Sequence, residues 1–519
     1  MIIARLGASL AALMLLAAAP LPPGLPPLAP AANCPAPDPR AGGPETADSR
    51  AIETHLSPAL TGTATKPATI VERMRARTVA GLSVAVIRGG RIAWARGYGL
   101  RDTATCAPVT PATAFIAGSI SKSFTATLAM REVERGRLSL DGDINASLRR
   151  WQLPPDARYP GQVTLRQLLG HTAGVSMPSS IGYPPGTPLP DIIATLDATA
   201  PAHGPAVRRA ATPGAAFRYS NGGYMIVQAA LEDVTGLHFE DLAARDILRP
   251  LGMTHSAFAR PATPDILRDA SAGHHLGKPF VAKHYEVEAV GVGGLWTTPT
   301  DLARFLIDVR AAANGEAGHR LAPASAAAMV RPGKGDWGLG FEISDHGRRF
   351  GHDGGFWGYL SKMWIDRASG DGIVVLTNDY HGLGLTDEII RAAADHYGWA
   401  NLQSRTMAAA LAAGPIYVRG SMNSYSNVAS LKPVAAGDYV ADLMLKPGEY
   451  DFKLGSAGGK PISLGTEDDA PVEVGAHARA LSTDGDELEL KIVSPGTYRF
   501  RLHADATGSS TLAVARVAS

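Results

Sequence analysis

The chain is poor in several things. It holds only two cysteines in 519 residues, Cys34 and Cys106, too few for a structural zinc site. No block of like charge occurs and the formal net charge is +1, so no nucleic acid and no anionic membrane is indicated as a partner. Past the N-terminus no run is long and apolar enough for a membrane helix, so the mature chain is expected to lack a transmembrane segment. Charged residues make up 19% and hydrophobic ones 45%, the balance of a globular chain. At this length two or three domains are expected.

The N-terminus reads as an export signal. "MIIARLGASLAALMLLAAAP" sets Arg5 ahead of an apolar run from Leu6 to Ala19. Small residues at Ala29 and Ala31 put cleavage near Ala31, so residues 1–31 are read as a signal peptide and the protein as periplasmic or secreted. An exported chain with two cysteines invites a disulfide between Cys34 and Cys106, with two free thiols as the alternative.

Residues 32–74 open as a leader rich in Pro, Gly and charge. Next, "AGLSVAVIRGGRIAWARGYGLRD" gives two strand-type runs around Gly89-Gly90, a hairpin signal. "SISKSFTATLAMREVERGRLSL" has helical periodicity and stops near Gly136. Short helical segments fill 140–310, strand-like runs return at "GHDGGFWGYLSKMWID" and "GIVVLTND", and "TDEIIRAAADHYG" closes this part as a helix. Strands at both ends with helices between predict an α/β fold of the α+β kind, an antiparallel sheet flanked by helices plus a helical subdomain. A cleft between sheet and insertion is the natural site.

After an Ala-rich linker at 401–414 the composition changes. "LKPGEYDFKL" is echoed 48 residues later by "VSPGTYRFRL". Pro-Gly sets a turn, and Tyr-x-Phe-x-Leu alternates as a half-buried strand does. Residues 415–519 are therefore expected to form a separate all-β sandwich.

The chemistry lies in three places. Ser119 and Lys122 are three apart at the start of a helix, which puts hydroxyl and amine on one face. A lysine whose pKa is lowered by burial serves as a base for a serine nucleophile, and the helix N-terminus offers N–H groups to an oxyanion. Alone the pair is weak, since a chain this long carries about one S-x-x-K by chance. Tyr219 stands in "YSN" at a loop entering a helix, and becomes a usable base only beside a cation such as Lys122. His352, followed by Asp353, Gly354 and Gly355, gives a polar side chain and then bare backbone that a substrate can approach.

The ordered set Ser119-x-x-Lys122, Tyr219-x-Asn221 and His352-x-Gly354 resembles the serine hydrolases related to class C β-lactamases and D,D-peptidases. "VTLRQLLGHTAGV", "LRPLGMTHSAF" and "VGGLWTTPTDLARF" resemble the family's connecting segments, and the likeness covers about 75 to 400. The resemblance implies a β-lactamase/transpeptidase-like fold without cofactor or metal. It implies that Ser119 forms an acyl-enzyme, that Lys122 and Tyr219 share the proton work, that Asn221 binds the substrate amide, and that the N–H groups of Ser119 and Gly355 form the oxyanion hole. His352 stands where β-lactamases of this kind carry lysine, and neutral histidine offers no fixed charge for a substrate carboxylate. Asp353 is expected to weaken carboxylate binding further. The expected substrate is a small molecule or peptide with an amide or ester, of the D,D-carboxypeptidase or D-aminopeptidase type. The alternatives are a broad esterase, a β-lactamase, or a slow-turnover penicillin- or peptidoglycan-binding protein.

Other residues invite blander readings. His171 in "GHTAG" is read as a turn residue, His274, His275 and His284 as loop histidines, Trp296 as either cleft lining or packing, and Thr300 as a helix cap. A second "YSN", Tyr425 to Asn427, lies in "PIYVRGSMNSYSN", which resembles the opening of glycogen- and starch-binding sandwich modules. The resemblance implies glycan contact through an exposed ring at Tyr425.

Overall fold

Gly89 and Gly90 both adopt positive φ, +56° and +75°, the turn that joins two twisted strands as a hairpin. Those strands are β1, Gly81–Arg88, and β2, Arg91–Asp102. The computed structural model that shows this describes residues 28–519 except 59, 62–65, 179–181, 407–408, 411–413, 458–462, 467–470, 484–486, 506–508 and 518–519. Most of the segment read as a signal, residues 1–27, thus lies outside the described residues. Contacts divide the chain into two compact units, Pro23–Glu45 with Met74–Gly382, and Thr46–Arg73 with Leu383–Ser519.

In the first unit the strands from both ends of the sequence make one sheet. β1 and β2 are joined by the short β3, Ala107–Pro108, and from the other end by β4, Glu342–Ser344, β5, Arg349–Phe356, β6, Tyr359–Asp366, and β7, Gly372–Thr377. The order is β4-β5-β6-β7-β1-β2-β3, antiparallel throughout. The run "GHDGGFWGYLSKMWID" is not one strand: Gly358, at φ +75°, turns it into the β5–β6 hairpin. β1 is buried along nearly its whole length, as its unbroken apolar run requires.

Helices fill the middle. α1, Ser121–Glu134, stops just before Gly136 at φ +72°. α2, Leu165–Leu169, has the reciprocal cap of Thr164 and Gln167. α3, Asn221–Thr235, is capped by Ser220, whose Oγ accepts the Gly223 N–H at 2.9 Å. α4, Pro299–Ala313, packs on the sheet through Leu302, Phe305, Leu306 and Val309. Its cap is Thr298, not Thr300, because the Asp301 N–H reaches the Thr298 hydroxyl at 3.3 Å and Thr300 falls inside the helix. Phe124 of α1 stacks on Phe305 at 3.9 Å, and so binds the two helices in one core.

The N-terminal arm belongs to this unit. Leu28 pairs with Phe280, and the Ala29 N–H donates to the Pro279 carbonyl. Cys34 and Cys106 are joined as a disulfide.

In the second unit α5, Leu383–Tyr397, packs beside the helix Ala47–Glu53, with Asp48 bonded to His396 and Tyr397. The rest is strand-rich. β8, Ile416–Gly420, and β9, Lys432–Ala435, are followed by β10, Asp438–Leu445, β11, Gly448–Ser456, β12, Ser463–Gly465, β13, Arg479–Thr483, β14, Leu488–Ile492, β15, Gly496–Ala504, and β16, Ser510–Arg516. Their order is β8-β11-β12-β13-β16-β15-β10-β9, with β14 on β11. The repeated decapeptide supplies β11 and β15. Tyr450 and Tyr498 each donate to the carbonyl four residues back, of Lys446 and Ser494, which braces the two Pro-Gly turns alike. Phe452 and Phe500, both fully buried, meet edge to face at 5.4 Å in the core of this unit.

Candidate active site

The site is built where α1 begins against β5. A single 3-10 turn, Gly118–Ile120, leads into α1 and carries Ser119 at its centre. Gly118 has φ +53°, and a Cβ there would meet the N, C and O atoms of Gly355 at 2.6 to 2.8 Å. A Cβ on Gly354 would run into the Ala117 carbonyl and sit 2.5 Å from Ser361 Oγ and 3.1 Å from the Ser119 nitrogen. Glycines on both sides are thus what lets the strand backbone lie directly against the serine turn.

One turn along α1, Lys122 is wholly buried and its Nζ donates to Ser119 Oγ at 2.9 Å and to the Val292 carbonyl at 3.2 Å. The Val292 turn is held by α1 and α3, through Thr125 bonded to the Gly291 carbonyl and Gln228 accepting the Gly291 N–H. Among the described residues no carboxylate bonds the lysine, and burial holds its amine well below the usual range. A hydroxyl bonded to a neutral amine is arranged for proton transfer.

Tyr219, two residues before α3, lies 5.0 Å from Lys122 Nζ measured to its ring centre. Its hydroxyl is buried and makes no hydrogen bond of ordinary geometry. Burial raises it well above the usual tyrosine value, with nearby Ser119 pulling the other way. Asn221 opens α3, its Nδ2 3.4 Å from the Pro178 carbonyl and its Oδ1 buried without a partner.

His352, in the middle of β5, is fully buried. Its Nδ1 lies 2.5 Å from the Asp353 carbonyl, which can only accept, so Nδ1 carries the proton and Nε2 presents a lone pair without a protein partner. Burial, with Lys122 beside it, pushes this imidazole down to about 3. Asp353 points to the opposite face, as the next residue of a strand must, where it accepts from Trp364 Nε1 at 2.9 Å and faces Lys362. Its expected effect on carboxylate binding is therefore withdrawn: its charge is committed to the neighbouring strand.

The structure thus brings together Ser119, Lys122, Tyr219, His352, Gly354 and Gly355, and sets Asn221 at the start of α3, two residues beyond Tyr219. It also brings in two residues the sequence did not mark. Trp337 has its ring 5.6 Å from that of Tyr219 and 5.1 Å from that of His352, and its Nε1 is buried and unpartnered. His171, read as a turn residue, stacks on Tyr219 at 4.2 Å. Trp337 stands in no motif, and its place follows only from the tertiary contact. Trp296 is a packing residue, 3% exposed, between the edges of His284 and Tyr359. His274 is not a loop residue: it is wholly buried on a two-residue strand, accepting the Thr103 N–H. Among the described residues no group of three or more His, Cys, Asp or Glu is placed to hold a metal. Tyr425 is half-buried and engages Glu487 rather than standing free.

The β-lactamase family model matches residues 67–398. The chain belongs to the β-lactamase family. Its relatives within and around this family include protein flp of Staphylococcus aureus (strain N315), 26% identical over 232 residues, 43% of this chain and 42% of that protein. The match thus spans about two fifths of the length of that curated relative. Penicillin-binding protein 4 of Amycolatopsis lactamdurans is 29% identical over 303 residues, 54% of this chain and 76% of that one. Among solved structures, the octameric penicillin-binding protein homologue from Pyrococcus abyssi superposes with TM-score 0.56 at 21% identity, covering 85% of this chain and 98% of its own, which shows the shared fold. SurE with D-Leu superposes with TM-score 0.52 at 25% identity, covering 82% and 97%. The chain accordingly has the β-lactamase/transpeptidase fold.

Proposed function

We propose that the protein is an exported hydrolase that cleaves an amide or ester through an acyl-enzyme on Ser119, its substrates peptides that contain D-amino acids. The observation that carries this reading is the 2.9 Å bond between Ser119 Oγ and a wholly buried, neutral Lys122. Burial favours the neutral forms of both Lys122 and Tyr219. Lys122 Nζ therefore takes the proton as Ser119 Oγ attacks the carbonyl, and the Tyr219 O–H passes its own to the leaving group, to be replenished from the lysine. The N–H groups of Ser119 and Gly355 receive the oxyanion, and Asn221 Oδ1 accepts from the substrate amide. Water then enters by the same relay in reverse and frees the acyl group.

The D-amino-acid preference is supported by the likeness to SurE, whose structure holds D-Leu, and by the penicillin-binding protein among the relatives. The lone pair of His352 in place of a fixed positive charge makes an efficient β-lactamase the poorer reading. Export is supported by Arg5 ahead of the apolar run Leu6–Ala19, with cleavage near Ala31. Glycan contact by the strands after 415 rests on sequence likeness alone, and retention of the full chain on insoluble glucan tests it.

The test of the main reading is intact-protein mass spectrometry after brief exposure to a penicillin, an activated acetyl ester and D- or L-aminoacyl amides, with Ser119→Ala as control. An adduct or product that depends on Ser119 is expected, with D-amides turned over faster than L. A long-lived penicillin adduct without turnover of any amide or ester would make the protein a binder instead. Neither adduct nor product from any probe would remove the acyl-enzyme reading.

A further inference from the structure

The hydroxyl of Tyr219 is buried with Ser119 beside it, and that one neighbour does not by itself fix the plane of the phenol ring. One residue touches Tyr219 from three directions. The carbonyl of His171 accepts the Arg218 N–H at 2.7 Å, and its Nδ1 accepts the Ser220 N–H at 3.1 Å. His171 therefore clamps the backbone on both sides of Tyr219. Between these bonds its imidazole lies along the phenol ring, centres 4.2 Å apart and planes tilted by 34°. Trp337 packs against both rings, 5.0 Å from the imidazole and 5.6 Å from the phenol, and Tyr224 lies 5.1 Å from the imidazole. To do this His171 adopts φ +55° while 1% exposed, a conformation a residue other than glycine keeps only when its surroundings impose it.

The clamp also sets the tautomer. Because Nδ1 accepts a backbone N–H, the proton of the neutral ring sits on Nε2, which is buried and unpartnered beside the site. A charged imidazole would have no lone pair to offer Ser220.

We propose that His171 is a positioning residue that holds the Tyr219 hydroxyl over Ser119 and Lys122. This rests on the proton-transfer role given to Tyr219 above, and goes beyond it by naming what aims the phenol. An error of about 1 Å in a catalytic group lowers turnover by as much as a hundredfold, so aim is worth that much here.

The test is a double-mutant cycle on turnover of the best ester or amide found. His171→Asn keeps an acceptor for the Ser220 N–H and tolerates left-handed φ, but removes the ring. It is expected to lower kcat about tenfold to a hundredfold with KM within about twofold, and to melt close to the parent by circular dichroism. In the Tyr219→Phe background the same change is expected to have almost no further effect. An equal loss in both backgrounds, or parental kcat in His171→Asn, would overturn the positioning role while leaving that of Tyr219 intact. Parental turnover in Tyr219→Phe alone would overturn both. Should His171→Asn fail to fold, His171→Gln, which fills more of the ring's space, takes its place in the cycle.

Discussion

Lys122 is the residue on which the chemistry turns, and its environment makes clear why. A primary amine wholly buried beside a hydroxyl and a carbonyl is held well below its usual pKa, which favours its neutral, basic form. Replacing it by an isosteric apolar residue, Lys122→Met, should abolish acylation of Ser119 while the melting temperature holds or rises, since a buried polar group is exchanged for a packed one; persistence of the adduct in mass spectra would remove the lysine from the mechanism. Tyr219→Phe should cut turnover by about 10²–10⁴, the usual weight of a proton-transfer group, and a loss below about threefold would leave the work to Lys122 alone. His352 makes a separate forecast for stability. Its imidazole titrates near 3 in the fold against about 6.5 in the unfolded chain. Between those values the unfolded chain binds a proton that the native state refuses, so this group withdraws stability as pH falls from about 6.5. Asp379, raised to about 6 by burial, acts the opposite way, because the native state holds its proton where the unfolded chain does not. The difference between variants isolates the histidine: urea unfolding of His352→Asn should lose less stability between pH 7 and 4.5 than the parent does, by on the order of one or two kcal/mol. Equal slopes would mean that His352 titrates in the fold as it does in the unfolded chain.

At the scale of elements, the site exists because β5 and the start of α1 touch through backbone. Gly354→Ala should force the strand off the serine turn, with a loss of about 1–3 kcal/mol in stability and at least tenfold in turnover, measured by denaturant melts and initial rates. Parental activity in that variant would mean that the strand yields without moving Gly355. Much of this level was legible in the chain. The Gly89-Gly90 hairpin, the helix after Ser119 and the loop before Asn221 all follow from local rules of turn and cap. The β5–β6 break was not, because "GHDGGFWGYLSKMWID" offers glycines at 351, 354, 355 and 358 and only the pairing shows at which of them the chain folds back. Thr300 reads as the cap in the sequence, and the bond from the Asp301 N–H shows that Thr298 is the cap instead.

For the whole molecule, the disulfide ties the N-terminal arm to the body across 72 residues. Its removal by a double Cys34→Ser, Cys106→Ser change should lower stability by up to about 4 kcal/mol, and thiol labelling of the purified protein should mark neither cysteine before reduction. What the sequence by itself determined is the part that local chemistry and order suffice to specify: strands at both ends with helices between, the Pro-Gly-x-Tyr-x-Phe repeat of the second unit, and the residue types Ser119, Lys122, Tyr219 and His352 in their motifs. What only the tertiary structure decided is how those groups are charged and aimed. Burial pulls down the pKa of Lys122 and of His352, a carbonyl at the next residue chooses the His352 tautomer, and the neighbours of Tyr219 are His171 and Trp337, about 50 and 120 residues away along the chain. Protonation and orientation depend on what excludes water from a group. Long-range packing does that here, and no stretch of sequence around the group records it.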